Sequence, residues 1–306
     1  MRLAPALLAA ACLLVTGCGE SGGDAASRAP GGGDTLEQLW RAPGEDVALI
    51  PGTENHEPGD VRVSFLVVDS EGQVSLLPTA RVWVARALEE APFLESTAQL
   101  ERIGVPGGAE ADATHIYVAH LRLPDPGTYW LLAEPEGGKK VQALGNAVVS
   151  TDDPEPGPGD PAPLSETPTL ASTGGDLSKL TTRRPPDLSL LRYSVASSLR
   201  AKVPFVVTFS TPKFCSSRTC GPVVDVVEET ARRFEGKGVR FIHVEVYEGN
   251  DPVQGFNQWI QEWGLETEPW TFVVGRNGRI VDRFEGAVSV RELEETVNGL
   301  VEPGSG

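Results

Sequence analysis

The sequence has 306 residues, a hydrophobic fraction of 40% and a formal net charge of −17 at pH 7. This length is sufficient for two domains of ordinary size. The surplus of carboxylates argues against a nucleic-acid partner, because phosphate binding needs clustered Lys and Arg side chains.

Residues 1–18 have the features of an export signal. Arg2 supplies one positive charge, and the apolar run from Leu3 to Val15 is too short for an ordinary membrane span. The end of this stretch, Val15-Thr16-Gly17-Cys18, resembles the lipobox of bacterial lipoproteins. The resemblance implies that residues 1–17 are removed and that Cys18 carries a lipid. We therefore expect an exported protein that is lipid-anchored to the outer face of the bacterial cell membrane, with an ordinary secretory signal as the alternative.

A tether and then a β domain are predicted after the signal. Residues 18–59 are expected to form a tether and an irregular segment, since residues 19–34 are rich in Gly, Ser and Ala. Over residues 60–150, short runs of alternating apolar and polar residues are separated by turn residues. Such a pattern is typical of an all-β domain.

One short motif in this region resembles the tyrosine corner of immunoglobulin-like domains. The stretch Asp125-Pro126-Gly127-Thr128-Tyr129 matches the D-x-G-x-Y pattern, and Trp83 would be the buried Trp of an earlier strand. Leu131 occupies the place of the second inter-sheet cysteine. The resemblance implies an immunoglobulin-like β-sandwich over residues 60–150, for which a spacer or docking role is the simplest expectation.

Residues 151–187 are predicted to be a linker. Prolines recur between Pro154 and Pro168 among glycines and acidic residues, and such chain stays extended and semi-rigid. Alternating strands and helices are predicted for residues 188–301, followed by a tail at 302–306. The predicted elements are a short helix at 194–201, a buried strand at 203–209, a helix from Pro222, a strand at 239–246, a helix at 256–263, a hairpin across Asn277-Gly278 and a helix opened by the capping box Ser289-Val290-Arg291-Glu292.

Two cysteines lie where the buried strand meets the following helix. Cys12 leaves with the signal and Cys18 carries the lipid, so Cys215 and Cys220 are the expected thiols of the mature protein. A helix N-terminus favours the ionised form of a nearby thiol, and the thiolate is the form that attacks a disulfide. In an oxidising compartment, two such thiols tend to form a disulfide with each other.

The order of these elements, with two cysteines after the first strand and a proline directly before the hairpin, resembles the thioredoxin fold. The resemblance is to extracytoplasmic, membrane-anchored thioredoxin-like proteins and covers residues 188–301. It implies an α/β thioredoxin-like fold and a thiol-disulfide oxidoreductase that exchanges electrons with partner protein disulfides. The implied site comprises Cys215 as nucleophile, Cys220 as resolving thiol, and Phe214, Glu268, cis-Pro269 and Trp270 as residues that bind the partner.

The sequence departs from the family pattern in ways that bear on the chemistry. Four residues rather than two separate the cysteines, and Phe214 replaces the usual Trp. Thr208 stands where many members have a buried acid that accepts a proton. Glu245 on the next strand is a candidate substitute for this base.

Two other functions stay open from the sequence. If the cysteine pair is a structural disulfide, the protein is a non-catalytic binding or scaffold lipoprotein, although so short a loop stabilises by only about 2 kcal/mol. A copper-handling assembly factor would use a later histidine, and His243 lies in mid-strand instead. We expect no cofactor, no metal and no nucleic acid. The expected partners are thiols or disulfides of other proteins and the membrane.

Overall fold

The computed structural model describes residues 33–109, 113–152, 154–215 and 220–301. The predicted signal peptide (1–17), the predicted lipid-attachment residue Cys18 and the tail (302–306) lie outside these residues, so export and lipid anchoring stay predictions. Within the described ranges, no helix has both the length and the hydrophobicity needed to cross a bilayer.

The N-terminal half of the chain is a closed barrel of seven strands. The parallel pairing of the first strand with the seventh closes it, and the order around the barrel is 1-2-5-4-3-6-7. A short helix precedes the barrel and begins at a capping box formed by Thr35 and Gln38. The elements are α1 (Leu36–Trp40), β1 (Glu45–Pro51), β2 (Gly59–Val67), β3 (Thr79–Ala85), β4 (Leu94–Arg102), β5 (His115–Leu123), β6 (Gly127–Pro135) and β7 (Val141–Val149).

The predicted tyrosine corner is present in this barrel. The Tyr129 hydroxyl donates to the backbone oxygen of Asp125 over 2.8 Å and accepts from its N–H over 3.1 Å. The predicted sandwich is nevertheless wrong. Strand β1 pairs with both β2 and β7 and so closes the sheet on itself. In a sandwich, the two sheets would keep separate, unpaired edge strands. Trp83 is half-buried and packs near α1 outside the main barrel core.

The C-terminal half contains a second sheet of four strands with helices on both faces. Its strands are β8 (Phe205–Phe209), β9 (Arg240–Val244), β10 (Trp270–Val274) and β11 (Ile280–Glu285). The order is β11-β10-β8-β9, in which only β8 and β9 pair in parallel. The helices are α2 (Val195–Arg200), α3 (Cys220–Arg233), α4 (Gln258–Glu262) and α5 (Val290–Val301).

Strand β8 is buried on both faces, as its continuous apolar sequence predicts. Phe205, Val207 and Phe209 pack in one apolar cluster with Trp263, whereas Val206 packs in the other with residues of α3 and α5. The two clusters hold the end of β8 firmly between layers.

The fold class predicted from the sequence is wrong. The described chain is mostly β, with a closed barrel, a second sheet and few helices, rather than an α/β thioredoxin-like fold beside an immunoglobulin-like sandwich. Three of the described α-helices, α1, α2 and α4, are only 5, 6 and 5 residues long. The helix predicted at 256–263 is shorter because Asn257 caps its start and Gly264, at a φ of 64°, follows its end.

The proline-rich segment after the barrel lies along the second sheet. Ile280 donates its backbone N–H to Asp160 over 2.9 Å, and Gly159 donates to Ile280 over 2.8 Å. Ser165 and Thr167 in the same segment are buried. The segment therefore contacts the sheet through backbone hydrogen bonds, while the domain boundaries given above stay predictions.

A buried ion pair joins β2 of the barrel to helix α5 of the C-terminal half. Arg62 Nε lies 2.7 Å from Glu292 Oε1, and the two side chains are 10% and 5% exposed. Glu292 also accepts from the Ser289 N–H over 3.0 Å, which completes the predicted capping box of α5. Close by, a Cβ on Gly286 would lie 2.5 Å from the Gly52 carbonyl oxygen, so the two backbones are in direct contact.

Candidate active site

Cys215 and Cys220 lie where the chain passes from the end of β8 into α3. The Phe214 and Cys215 N–H groups both donate to the Thr211 carbonyl, over 3.2 and 3.1 Å, and this turn carries the chain out of the sheet. Cys220 is the first residue of α3. Cys215 is partly exposed, and Cys220 is fully buried.

A carboxyl group lies beside the two thiols. The sulfur atoms of Cys215 and Cys220 and a carboxylate oxygen of Glu268 are all within 4.8 Å of one another. The register of the sheet explains the juxtaposition, because Phe209 at the end of β8 pairs with Trp270 at the start of β10. The Glu268–Pro269 peptide bond just before β10 is cis, as the sequence resemblance implies for Pro269.

The two thiols have different electrostatic surroundings. The backbone N–H of Cys220 donates to Cys215 Sγ over 3.4 Å, and a donor at a helix start stabilises a thiolate. Burial, followed by the hydrogen bond with Cys215, raises the pKa of Cys220 above its usual value. Cys215 is therefore suited to nucleophilic attack, and Cys220 stays protonated until a base removes its proton.

Glu268 has the properties of such a base. Burial, followed by the charge of Cys215, raises the pKa of Glu268 to about 7. A carboxyl group with this pKa changes its protonation state near neutral pH, where acid–base catalysis is most effective. The sequence singled out Glu268 only as a partner-binding residue. Its position immediately before Pro269 was the available signal.

Thr208, which replaces the buried acid of the family, and Glu245, the predicted substitute base, lie in other environments. Thr208 is fully buried, and its hydroxyl hydrogen-bonds that of Thr271 over 3.1 Å, so a neutral hydroxyl pair occupies this place in the sheet. The Glu245 carboxylate accepts from the Thr182 hydroxyl over 2.7 Å. Among the described residues, Glu245 is not in the cluster with the two sulfurs.

The predicted partner-binding aromatics differ in exposure. Phe214 is half-buried beside Lys213, whose Nζ lies 4.8 Å from the ring centroid. The Trp270 ring is 1% exposed, stacks on Phe272 and donates its Nε1–H to Thr267 over 3.0 Å. Trp270 thus anchors the start of β10 in the core, and Phe214 is the aromatic with accessible surface.

The cluster offers two sulfurs and one carboxylate to a metal ion. This set is one ligand short of the four that close a structural zinc site. Within the described chain no histidine joins it. His243 is buried, with Nε2 at 3.2 Å from the Ser210 carbonyl oxygen and Nδ1 at 3.4 Å from the Thr181 hydroxyl. The arrangement does not supply the histidine that the copper-handling alternative requires.

No protein-family model matches the sequence, and no curated protein matches it. Among solved structures, the chain is similar to a putative thiol:disulfide interchange protein DsbE from Chlorobium tepidum. The two share 16% sequence identity with a TM-score of 0.29, over 34% of this chain and 85% of that chain. The match is weak and partial, and it leaves the family of this chain open.

Proposed function

We propose that the protein is a thiol-disulfide oxidoreductase that exchanges electrons with disulfides of partner proteins through Cys215 and Cys220. The observation that carries the proposal is the pairing of a partly exposed sulfur at a helix start with a buried thiol and a carboxyl group of raised pKa. With the export signal and the lipid anchor at Cys18 expected from the sequence, this chemistry would take place at the outer face of a membrane.

The first step forms a mixed disulfide. The Cys215 thiolate attacks one sulfur of the partner disulfide, whose S–S bond breaks. The other partner sulfur leaves as a thiolate and takes a proton from water. Phe214 precedes the attacking sulfur in the chain, and Pro269 follows Glu268, whose carboxylate lies within 4.8 Å of both sulfurs. These positions support the proposal that the partner segment lies beside the half-buried Phe214 ring and the buried Pro269.

The second step releases the partner. Glu268 accepts the Cys220 proton, and the new thiolate attacks Cys215 Sγ. A Cys215–Cys220 disulfide forms, the mixed disulfide breaks, and the partner's second sulfur leaves and is protonated. The partner disulfide has gained two electrons and the cysteine pair has lost two. A dithiol outside this chain must reduce the pair again, and the reverse sequence oxidises a partner dithiol.

The pKa of Glu268 depends on the charge of Cys215, which changes between the two steps. A Cys215 thiolate contributes to the raised pKa of Glu268, because like charges disfavour each other. In the mixed disulfide Cys215 carries no charge, so this contribution is lost and Glu268 ionises more readily. The carboxylate is therefore available at the stage at which Cys220 has to lose its proton.

Single cysteine variants of the full chain test the proposal. Cys215→Ser should abolish reduction of a protein disulfide. Cys220→Ser should accumulate a covalent complex with the substrate that mass spectrometry detects and that a reductant releases. If both variants reduced the substrate at the wild-type rate, the proposed chemistry would be refuted.

A further inference from the structure

A cavity of about 550 Å³ lies between the barrel and the second sheet, next to the cluster of thiols. Glu268 and Pro269 line it from the C-terminal half, and the end of β1 with the residues after it, including Ile50 and Glu54, lines it from the N-terminal half. Its volume is in the range of pockets that bury small ligands, roughly 300–1,000 Å³. A group bound there would touch the barrel and the candidate active site together.

The floor of the cavity is apolar and belongs to both halves of the chain. Ile103 and Ile116 from the N-terminal half pack with Ala287 from the β11–α5 connection, and Leu66 packs against this cluster. Ile50 at the rim is 44% exposed. An apolar side chain of a partner would be removed from water on this floor, which is favourable by roughly 25 cal/mol per Å².

The rim of the cavity is acidic. Glu54, Glu266, Glu268 and Glu285 line it, and the described lining residues include no lysine or arginine. Glu285 accepts hydrogen bonds from the Glu54 and Asn55 N–H groups over 2.7 and 2.9 Å. Glu54 and Glu266 are exposed to solvent. These two carboxylates therefore add exposed negative charge to the cavity that Glu268 also lines.

We propose that this cavity binds an extended segment of the partner polypeptide beside its reactive cysteine, with an apolar side chain on the floor and a Lys or Arg side chain against Glu54 and Glu266. The inference rests on the proposed function and gives it a substrate class, namely disulfides flanked by basic residues. Charge complementarity selects this occupant, because an acidic segment would meet only like charges at the rim. The barrel is then one wall of the substrate groove.

The test uses the reduced full chain and three disulfides. Two are peptide disulfides that differ only in carrying Lys or Glu beside the cysteine. The third is 2-hydroxyethyl disulfide, an uncharged molecule without a side chain that could pair with Glu54 or Glu266. The variant is Glu54→Lys/Glu266→Lys. Its matched control is Glu89→Lys, an exposed glutamate of the β3–β4 connection that does not line the cavity.

The wild type should prefer the Lys peptide, and added salt should weaken this preference. The double variant should lower kcat/KM for the Lys peptide roughly tenfold and raise it for the Glu peptide, since two exposed attractions become repulsions. It should leave the rate with 2-hydroxyethyl disulfide unchanged, and Glu89→Lys should change none of the three rates. Ile50→Ser should lower kcat/KM for both peptides and spare the small disulfide.

Two outcomes overturn the inference in distinguishable ways. Equal rates for the two peptides in the wild type and in the double variant, with normal exchange of 2-hydroxyethyl disulfide, would refute the groove and leave the thiol chemistry standing. No exchange of any disulfide by the wild type would refute the proposed function, and with it the groove.

Discussion

Replacing Glu268 with glutamine should remove the group that accepts the Cys220 proton while keeping the size of the side chain. The wild-type carboxylate lies within 4.8 Å of both sulfur atoms, and an amide in its place cannot take up a proton. Acid–base catalysis by a positioned side chain typically contributes about 10²–10⁴-fold. We therefore expect Glu268→Gln to slow the second step at least about 100-fold at pH 8, the low end of that range.

The dependence of the second step on pH is a second expected result for Glu268. Because burial and then the charge of Cys215 raise the pKa of Glu268 to about 7, the wild-type base is ionised above that pH and protonated below it. The rate of the second step should fall as the pH falls through this region, by about tenfold per unit well below the pKa. In the mixed disulfide Cys215 carries no charge, so the pKa of Glu268, and with it the midpoint of the pH profile, should lie below the value in the dithiol form. In Glu268→Gln the rate of the second step should no longer fall with pH in this region.

The second step can be measured alone in a single turnover. An aromatic disulfide reagent first forms a mixed disulfide with Cys215 and releases one coloured thiolate. Attack by Cys220 then releases the second, whose appearance is followed by absorbance at each pH. The control is Glu262→Gln, at the exposed end of α4. A Glu268→Gln protein that kept the wild-type rate and midpoint would refute the assignment of the base.

Three further predictions concern the interface and the cysteine pair. Arg62→Met should lower the free energy of unfolding by about 3 kcal/mol in urea titrations, because the buried Glu292 carboxylate is left without its cation. The double variant Arg62→Met/Glu292→Gln should regain most of that stability, because no buried charge is then left unpaired. Gly286→Ala should lower the melting temperature, because Gly286 has a φ of 69° and the new Cβ would meet a carbonyl oxygen at 2.5 Å. Gly299→Ala in α5 should not, because the new Cβ there would meet no atom within 4 Å beyond its own helical turn and its chain neighbours. The reduction potential of the Cys215–Cys220 pair should lie between about −270 and −120 mV, and a value well below about −300 mV would favour the structural disulfide of the scaffold alternative.

Local sequence patterns correctly predicted elements whose structure is decided by residues close together in the chain. The continuous apolar run of β8 indicated a strand buried on both faces, and all five of its residues are buried. Ser289 and Glu292 form the predicted capping box through reciprocal hydrogen bonds of 3.0 and 3.1 Å. In each case the residues that decide the structure are adjacent or a single helical turn apart.

The features that sequence analysis missed depend on distant pairing. Barrel closure requires β1 to pair with β7, for example Val47 with Ala143, and nothing local in either strand specifies that partner. Likewise, the role of Glu268 depends on the register that sets Trp270 opposite Phe209. The D-x-G-x-Y motif formed its expected hydrogen bonds at Tyr129. Such a corner is compatible with a barrel, so it did not distinguish a barrel from a sandwich.

The contact between Arg62 and Glu292 limits how this chain can be dissected. A fragment that began after the barrel would lack the Arg62 guanidinium. The Glu292 carboxylate at the start of α5, which is 5% exposed in the intact protein, would then have no cation beside it. It would also lack Ile103 and Ile116, so Ala287 would face water. Studies of the thiols therefore belong on the intact polypeptide, because truncation creates a new surface beside the very residues whose reactivity is being measured.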